Sequence, residues 1–301
     1  MDKVSVVIVT WNAESFIRRC LDSVFAQSIR NLEVFVVDNG SSDKTVEIVK
    51  EFPQRIHLIE NNENKGFCFS NNQAIGKAGG DYIFTLNSDI VLEYNYLFEL
   101  LDFLKVNSEV GMVQGKFMRM DKITIDGLGL QLGIFLRLFN ISEGKPDAPE
   151  FNRPREIFGP CAAAALYRKK LITEVSFENE VFDERFFFLV EDFDLAWRAR
   201  NRGWKAMCVP SAVCYHYRES SNHKSGFRQY LSLRNRYYLL IKNMDFSFKS
   251  IVRIILAILF YDLPRLLIII CVNRAALKAL SDVREYYPQL LKKRYKGTVN
   301  K

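Results

Sequence analysis

Two acidic signatures about a hundred residues apart carry the groups in this chain that could do chemistry. Asn87-Ser88-Asp89 closes an apolar run, and Glu191-Asp192 opens a segment with helical spacing. A single carboxylate such as that of Asp89 is enough for Mg²⁺ or Mn²⁺, which complete their coordination with water and substrate phosphate oxygens. A carboxylate such as that of Asp192 can take the proton from an attacking hydroxyl group. The first signature therefore resembles a metal-diphosphate clamp and the second a catalytic base.

The elements that must position these groups alternate between strands and helices. Runs rich in apolar, β-forming residues occur at 4–10, 32–37, 56–60 and 82–86. Helical spacing of apolar residues connects them at 16–25, 43–52 and 68–78. This alternation predicts an α/β fold with a mixed, mainly parallel sheet and helices on both faces.

Polar residues follow three of the predicted strands. They are Thr10-Trp11-Asn12, Asp38-Asn39 and Asn87-Ser88-Asp89. In open sheets of this kind ligands bind at the carboxyl ends of the strands, so we expect these residues to meet at one crevice. No G-x-G-x-x-G follows the first strand and no G-x-x-x-x-G-K-[ST] occurs. Dinucleotide oxidoreductases and P-loop nucleotide hydrolases are therefore disfavoured.

Five segments in this order resemble the family 2 nucleotide-sugar glycosyltransferases, which have the GT-A fold. They are Trp-Asn-Ala-Glu after the first strand, Val-Asp-Asn-Gly-Ser-Ser-Asp, Asn64-Lys65-Gly66-Phe67, Asn87-Ser88-Asp89 and Glu-Asp-Phe-Asp-Leu-Ala-Trp-Arg. The resemblance covers residues 3–245 and is greatest to the rhamnosyltransferase-like branch, which builds cell-surface polysaccharides. It implies a nucleotide-sugar-binding half at 1–105 and an acceptor-binding half at 106–245, with a basic amphipathic helical tail at 246–301.

The resemblance assigns donor binding to residues at the strand ends. Trp11 corresponds to the aromatic residue that stacks on the base, and Asp38 to the carboxylate that accepts a hydrogen bond from the base. The other donor-binding positions are Thr10, Asn12, Glu14, Asn39, Gly66, Asn71, Asn87 and Ser88. Trp11 could instead be an ordinary core aromatic residue, and Asp38 could be a turn former or helix cap.

The resemblance also implies a divalent cation, Mn²⁺ or Mg²⁺, held by Asp89 and His216. The family pattern is Asp-x-Asp, and Asn87 here leaves Asp89 as its one carboxylate. Asp192 corresponds to the catalytic base, and Glu191 is expected to help position the base or the acceptor. Alternatively, these acidic residues only complement the positive end of a helix dipole. One base and one metal imply direct displacement with inversion.

The expected activity is transfer of a sugar, with rhamnose from dTDP-rhamnose as the preferred donor, to a lipid-linked glycan. A UDP-hexose or UDP-N-acetylhexosamine donor is the nearest alternative. A third candidate is a catalytically silent scaffold subunit that binds nucleotide sugars, because Asn87 replaces the usual Asp.

The tail differs from the rest of the chain in charge. Residues 246–301 contain 11 Lys and Arg against 3 Asp and Glu, whereas residues 1–245 contain 31 against 32. Apolar runs at 254–261 and 266–272 are interrupted by Asp262, Pro264 and Arg265, which predicts an in-plane or re-entrant pair of helices rather than one clean span. This pattern predicts attachment to an anionic membrane surface, or alternatively packing on the protein or across a homodimer interface.

Three further features limit the class of protein. The basic tail has no nucleic-acid recognition motif beside it, so no nucleic-acid partner is expected. The six cysteines show neither zinc spacing nor a disulfide framework, and we expect them to be reduced. The first strand begins at Val4 without a signal-peptide pattern, so a cytoplasmic enzyme on the inner face of the cell membrane is expected.

Overall fold

A computed structural model describes residues 2–52, 56–218, 225–245 and 247–294. Its strands are β1 (Val4–Thr10), β2 (Leu32–Asp38), β3 (Ile56–Glu60), β4 (Tyr82–Asn87), β5 (Ile90–Leu92), β6 (Val110–Arg119), β7 (Ile125–Gly127), β8 (Leu130–Leu132), β9 (Leu138–Asn140), β10 (Arg155–Ile157), β11 (Ala164–Arg168) and β12 (Lys205–His216).

The α-helices follow the same chain order. They are α1 (Ile17–Phe25), α2 (Thr45–Lys50), α3 (Gly66–Ile75), α4 (Tyr96–Val106), α5 (Lys169–Val175), α6 (Glu191–Asn201), α7 (Ser225–Asn243), α8 (Phe248–Ala257), α9 (Leu263–Val272) and α10 (Lys278–Lys292). Short 3₁₀ turns lie at Pro149–Phe151, Glu184–Phe186 and Arg274–Leu277.

The central sheet is mixed and mainly parallel, which confirms the predicted fold class. Its strand order is β10-β12-β6-β11-β4-β1-β2-β3, with β5 beside β12 and β7 beside β6. Strands β1 to β4 form one parallel block, and β11 runs antiparallel between β4 and β6. The predicted strands at 4–10 and 56–60 coincide with β1 and β3. Alternate side chains of the buried strands enter separate cores on the two faces of the sheet.

Close packing between Gly159 and α6 fixes the position of that helix. A Cβ atom at Gly159 would lie 2.2 Å from the Cβ of Ala196, far inside van der Waals contact. The loop at Gly159 also joins β8 through a hydrogen bond from the Leu130 N–H to the Gly159 carbonyl oxygen, 2.8 Å long. Helix α6 therefore lies directly on this loop, and the absence of a side chain at 159 permits the contact.

The predicted pair of tail helices is wrong, because the described residues form one continuous helix from Phe248 to Val272. Helices α8 and α9 are joined by a π-helical turn at Ile258–Asp262. Pro264 lacks an N–H and cannot continue regular α-helical bonding, and the wider turn before it lets the helix axis continue. We call this segment the tail helix. By length and composition it is apolar enough to cross a membrane.

We predict that Gly159→Ala destabilises the fold, because the added methyl group must push α6 away from its loop. The expected loss in the free energy of unfolding is about 1–3 kcal/mol. Urea denaturation of the purified protein measures it. Gly79→Ala is the matched control, because its Cβ would meet its nearest atom at 3.5 Å. Equal stability of the two variants would show that α6 can shift at no cost.

Candidate active site

Two adjoining clefts lie at the carboxyl ends of β1 and β4. The larger cleft, of about 560 Å³, is lined by Asn87, Asp89, Glu191, Asp192 and His216, among others. The smaller one, of about 130 Å³, is lined by other predicted donor residues: Thr10, Trp11, Asn39, Gly66, Asn87 and Ser88. Asn87, Phe67 and Phe188 line both clefts. A ligand that filled both would extend from Trp11 to Asp192.

A strained turn delivers Asp192 to the larger cleft. Phe187, Leu189 and Val190 all have positive φ angles, of 65°, 69° and 76°. Such angles cost free energy for residues with a Cβ atom, most of all for β-branched Val190. The side-chain amide of Asn235 on α7 donates hydrogen bonds to three carbonyl oxygens of this segment, which belong to Phe186, Phe188 and Leu189 at 2.7–2.9 Å. These bonds hold the turn in its strained form.

The two acids at the start of α6 are difficult to ionise. Burial raises the pKa of Asp192 to about 6, although backbone N–H groups of Phe193 and Ala162 oppose the shift. Burial, together with the charge of Asp192, raises the pKa of Glu191 well above its ordinary value. The Glu191 Oε2 atom is buried and makes no hydrogen bond within the described residues. A base with a pKa near 6 is ionised at neutral pH and still basic enough to accept a proton.

Asp194, two residues after Asp192 on α6, is surrounded by positive charge and has a lowered pKa. Its carboxylate accepts hydrogen bonds from Lys242 and Arg198, both at 2.9 Å, and from Asn243 at 2.8 Å. Burial alone would raise the pKa of Asp194, but Lys242 and Arg198 outweigh it and lower the pKa. Lys242 also contacts Asp183 at 2.7 Å. Asp194 therefore anchors the helix, whereas Asp192 faces the cleft.

His216 and Asp89 meet at the other side of the larger cleft. The His216 Nε2 atom lies 3.4 Å from Asp89 Oδ2, and its Nδ1 atom lies 2.8 Å from Asp126 Oδ2. Arg218 forms an ion pair with the second oxygen of Asp126. Burial disfavours charge on His216, but hydrogen bonds to Asp126 and Asp89 outweigh it and raise its pKa to about 9.

This corner fits a divalent cation that is completed by substrate. Asp126 would orient the imidazole through Nδ1, which directs Nε2 toward Asp89, and such carboxylate–histidine pairs are usual behind metal ligands. No group of three or more His, Cys, Asp and Glu side chains suited to a metal occurs in the part of the chain that the structure describes. Two protein ligands suit Mg²⁺ or Mn²⁺ when phosphate oxygens and water supply the rest, and His216 would have to release its Nε2 proton to bind the cation.

The smaller cleft is shaped by Gly66 and the strained turn. Gly66 has a φ angle of +87°, and a Cβ atom there would lie 2.5 Å from the Phe187 ring. The Thr10 hydroxyl oxygen is buried in the wall without a hydrogen bond in the described residues. The Asn39 Oδ1 atom accepts a hydrogen bond from the Ser70 hydroxyl at 2.5 Å. A polar, partly open crevice beside Trp11 is suited to an aromatic base and its sugar.

Four predicted donor residues do not line either cleft. Asp38 accepts hydrogen bonds from the N–H groups of Gly40 and Ser41 and from the Ser41 hydroxyl, so it stabilises its own turn. The other three contact neighbouring backbone: Asn12 accepts from Ser42 N–H, Glu14 from Lys44 N–H, and Asn71 donates to the Phe67 carbonyl oxygen. Their assignment to donor binding stays a prediction.

Several cleft residues were given no individual role from the sequence. They are Asp126, Phe188, Arg218, Arg228, Arg236, Tyr261 and Arg265. Asp126 is 90 positions from its partner His216. The intervals of four between Arg228 and Ser232 and between Tyr261 and Arg265 are visible in the sequence, but they do not reveal which way a helix faces.

Comparison with known proteins identifies the family. The model of glycosyl transferase family 2 matches residues 5–176, more than half of the chain. The chain belongs to glycosyl transferase family 2.

The chain is similar to a short part of one curated relative and to most of another. It is 36% identical over 98 residues to glycosyltransferase GlyA of Streptococcus pneumoniae, which is 32% of this chain and 14% of that protein. It is 24% identical over 264 residues to a dolichyl N-acetyl-alpha-D-glucosaminyl phosphate 3-beta-D-2,3-diacetamido-2,3-dideoxy-beta-D-glucuronosyltransferase of Methanococcus voltae. The second match covers 82% of this chain and 79% of the relative.

A solved structure with low sequence identity has the same fold. The structure of GalNAc-T7 with UDP, GalNAc and Mn²⁺ has a TM-score of 0.63 at 16% identity, over 80% of this chain and 48% of that one. The comparison shows the fold and shows that this neighbour binds Mn²⁺.

We predict opposite effects from Asp192→Asn and Asp194→Asn on stability. The folded-state pKa of Asp192 exceeds its unfolded value, so ionising it costs stability as the pH rises from about 4 to about 6. Asp192→Asn should therefore stabilise the protein at pH 8 by about 1–3 kcal/mol and have little effect at pH 4. Asp194→Asn leaves Lys242 and Arg198 without their shared carboxylate and should cost about 3–5 kcal/mol at pH 8.

Urea denaturation at both pH values measures these effects. If Asp192→Asn were destabilising at pH 8, the carboxylate would be favourably paired and our description of its environment would be wrong.

Proposed function

We propose that this protein is an inverting glycosyltransferase that uses a nucleotide-sugar donor and a divalent cation. One observation carries the proposal. Asp192, whose pKa is near 6, lines the same cleft as the neighbouring side chains of Asp89 and His216. The smaller cleft beside Trp11 would hold the base. Family membership supports the same reaction class.

In the proposed reaction the acceptor hydroxyl attacks the anomeric carbon of the donor sugar. Asp192 takes the hydroxyl proton, the new glycosidic bond forms, and the bond from the sugar to the diphosphate breaks with inversion. Glu191, buried beside it, would position the acceptor or the base. Because its pKa is raised well above the ordinary value, Glu191 can donate a hydrogen bond from a neutral carboxyl group.

Asp89 and His216 would hold Mn²⁺ or Mg²⁺, which would stabilise the negative charge on the departing diphosphate. Asn87, at the border of the two clefts, would contact the ribose or a water molecule of the cation. Asp126 would keep the His216 ring in place. This division leaves proton transfer to Asp192 alone, and no general acid is required.

For the donor, we propose dTDP-rhamnose on the basis of the resemblance of the sequence motifs. A UDP-sugar is the second candidate, because the GalNAc-T7 structure contains UDP. For the acceptor, we propose a glycan on a lipid carrier, since the name of the Methanococcus voltae relative describes a dolichyl phosphate-linked substrate.

For the location, we propose the cytoplasmic surface of the membrane, and the tail helix supports the membrane attachment. One face is bound to the protein through Arg253, Arg265 and the ion pair between Arg236 and Asp262. The other exposes a row of large apolar side chains, which includes Ile255, Leu259, Phe260, Leu263, Leu267, Ile268 and Val272. A helix that is held along one side and apolar along the other is suited to lie in the interface of a bilayer. The excess of basic residues in the tail would favour anionic lipids.

We predict that Asp192→Asn separates turnover from donor binding. The variant should lose about 10²–10⁴-fold in the rate of sugar transfer, because the attacking hydroxyl keeps its proton. It should still be stabilised thermally by the donor with Mn²⁺, because ligand binding to the folded state raises apparent stability. Asp89→Ala should lose the Mn²⁺-dependent part of that stabilisation.

The measurement uses dTDP-rhamnose, UDP-glucose, UDP-galactose, UDP-N-acetylglucosamine and GDP-mannose, each with and without Mn²⁺. Exposed Asp102→Asn is the matched control and should behave as the wild type. A wild-type protein that donors stabilise but that transfers no sugar would favour the silent scaffold, and one that no donor stabilises would contradict the proposed donor site. Full turnover by Asp192→Asn would show that another group is the base.

We predict that the exposed face of the tail helix binds anionic vesicles. The double variant Leu267→Glu/Ile268→Glu should bind phosphatidylglycerol-containing vesicles at least about tenfold more weakly, because each apolar side chain contributes roughly 1.5–3 kcal/mol when buried. Both residues are about two-thirds exposed, at 65% and 64%, so the fold should tolerate the change.

Vesicle sedimentation measures the binding, with pure phosphatidylcholine vesicles for comparison. Val106→Glu, at another exposed apolar position, is the control. Equal binding by the double variant and Val106→Glu would contradict an in-plane tail helix and favour packing against a second copy of the chain.

A further inference from the structure

Side chains from α7 and from the tail helix form one wall of the larger cleft. On each helix they form a stripe, that is, a row of residues four positions apart. On α7, Arg228, Ser232 and Arg236 recur every four residues and share one helix face. On the tail helix, Tyr261 and Arg265 have the same spacing. All five residues line the cleft.

Direct contacts between the stripes hold this wall together. Arg265 Nη2 donates a hydrogen bond of 2.9 Å to the Ser232 hydroxyl oxygen. The Arg236 guanidinium lies 4.6 Å from the centre of the Tyr261 ring. It also donates two hydrogen bonds, of 2.6 and 3.1 Å, to the Asp262 carboxylate. The wall is therefore preorganised before any ligand arrives.

The arginines of the cleft differ in whether their charge is compensated. Arg236 is neutralised by Asp262, and Arg218 by Asp126 and Glu143. Within the described residues, neither Arg228 nor Arg265 forms an ion pair with a carboxylate. Two guanidinium groups with uncompensated charge thus line one wall of a cleft, and the planar fork of arginine suits phosphate oxygens.

We propose that Arg228 and Arg265, with the Ser232 and Tyr261 hydroxyl groups, form a subsite for the phosphate or diphosphate group of a lipid-linked acceptor. This proposal rests on the proposed function of the same cleft. It adds the chemistry that recognises the acceptor, an anionic group carried on an apolar chain.

Two features favour the acceptor over the donor as the source of the phosphate. The donor diphosphate would lie at the corner of Asp89 and His216, which belong to neither α7 nor the tail helix, and the smaller cleft is lined by no residue of these helices among those described. Arg265 also belongs to the helix that exposes Leu263, Leu267 and Ile268. An amphiphile could therefore place its phosphate at Arg265 and its hydrocarbon chain along the neighbouring apolar face.

Binding of farnesyl phosphate to the full chain in detergent tests this subsite. The double variant Arg228→Gln/Arg265→Gln should bind it at least about tenfold more weakly than the wild type, because two charge-assisted contacts are lost. Arg284→Gln, an exposed arginine on α10 outside the cleft, is the matched control and should bind it as the wild type does. Farnesol, which lacks the phosphate, should bind weakly and equally to all three proteins. UDP and dTDP with Mn²⁺ should also bind equally to all three.

The outcomes separate this subsite from the proposed function. Equal farnesyl phosphate affinity in the double variant and Arg284→Gln, or no binding to the wild type, overturns the subsite even if donor turnover is observed. A parallel loss of UDP and dTDP binding in the double variant would assign the two arginines to the donor diphosphate and also overturns it. A wild type that binds farnesyl phosphate through these arginines but no nucleotide sugar would keep the subsite and overturn the glycosyltransferase proposal.

Discussion

The geometry at the start of α6 depends on charges buried beneath that helix. Lys242 lies between Asp183 and Asp194, and Lys293 adds a second contact to Asp183. These ion pairs join α6, α7 and the end of α10 to the segment before the strained turn. They lower the pKa of Asp183 and Asp194, which favours the ionised form of both carboxylates, whereas burial disfavours the charge of Glu191 and Asp192 nearby. The poorly solvated carboxylates of Glu191 and Asp192 therefore lie next to Asp194, whose charge is paired with Lys242.

In the strained turn before α6, an unfavourable backbone conformation likewise lies next to groups that stabilise it. Val190 adopts a φ angle of 76° that its branched side chain disfavours, and Asn235 donates hydrogen bonds to three carbonyl oxygens of this segment. The turn places Phe188 in the wall of both clefts and Asp192 in the wall of the larger one. Helix α7 thus serves both parts of the site, since it carries Asn235 on one face and the Arg228 stripe on another.

Much of the fold was predictable because its signals are local. The apolar runs of β1 and β3 and the polar residues that end β1 and β4 are contiguous in sequence, and parallel strands bring such ends to one edge. The role of Asp126 was not predictable, because it depends on β7 pairing with β6 beside His216. The continuity of the tail helix through Pro264 was missed for a related reason. A proline predicts a break unless the backbone before it widens, and the π-helical turn is not encoded in the apolar periodicity.

The tail helix is integrated with the catalytic body rather than appended to it. Asp262 neutralises Arg236, and Arg236 donates hydrogen bonds to the carbonyl oxygens of Phe135 and Leu136 in the loop between β8 and β9. Leu136 is itself buried against α7 and the tail helix. The usual strategy of removing a membrane-binding tail to obtain a smaller soluble enzyme would here leave a buried arginine uncompensated and release a loop next to the cleft. The contacts of Asp262 and Leu136 therefore cross the boundary at 245/246 that the charge composition suggests, and that boundary stays a prediction.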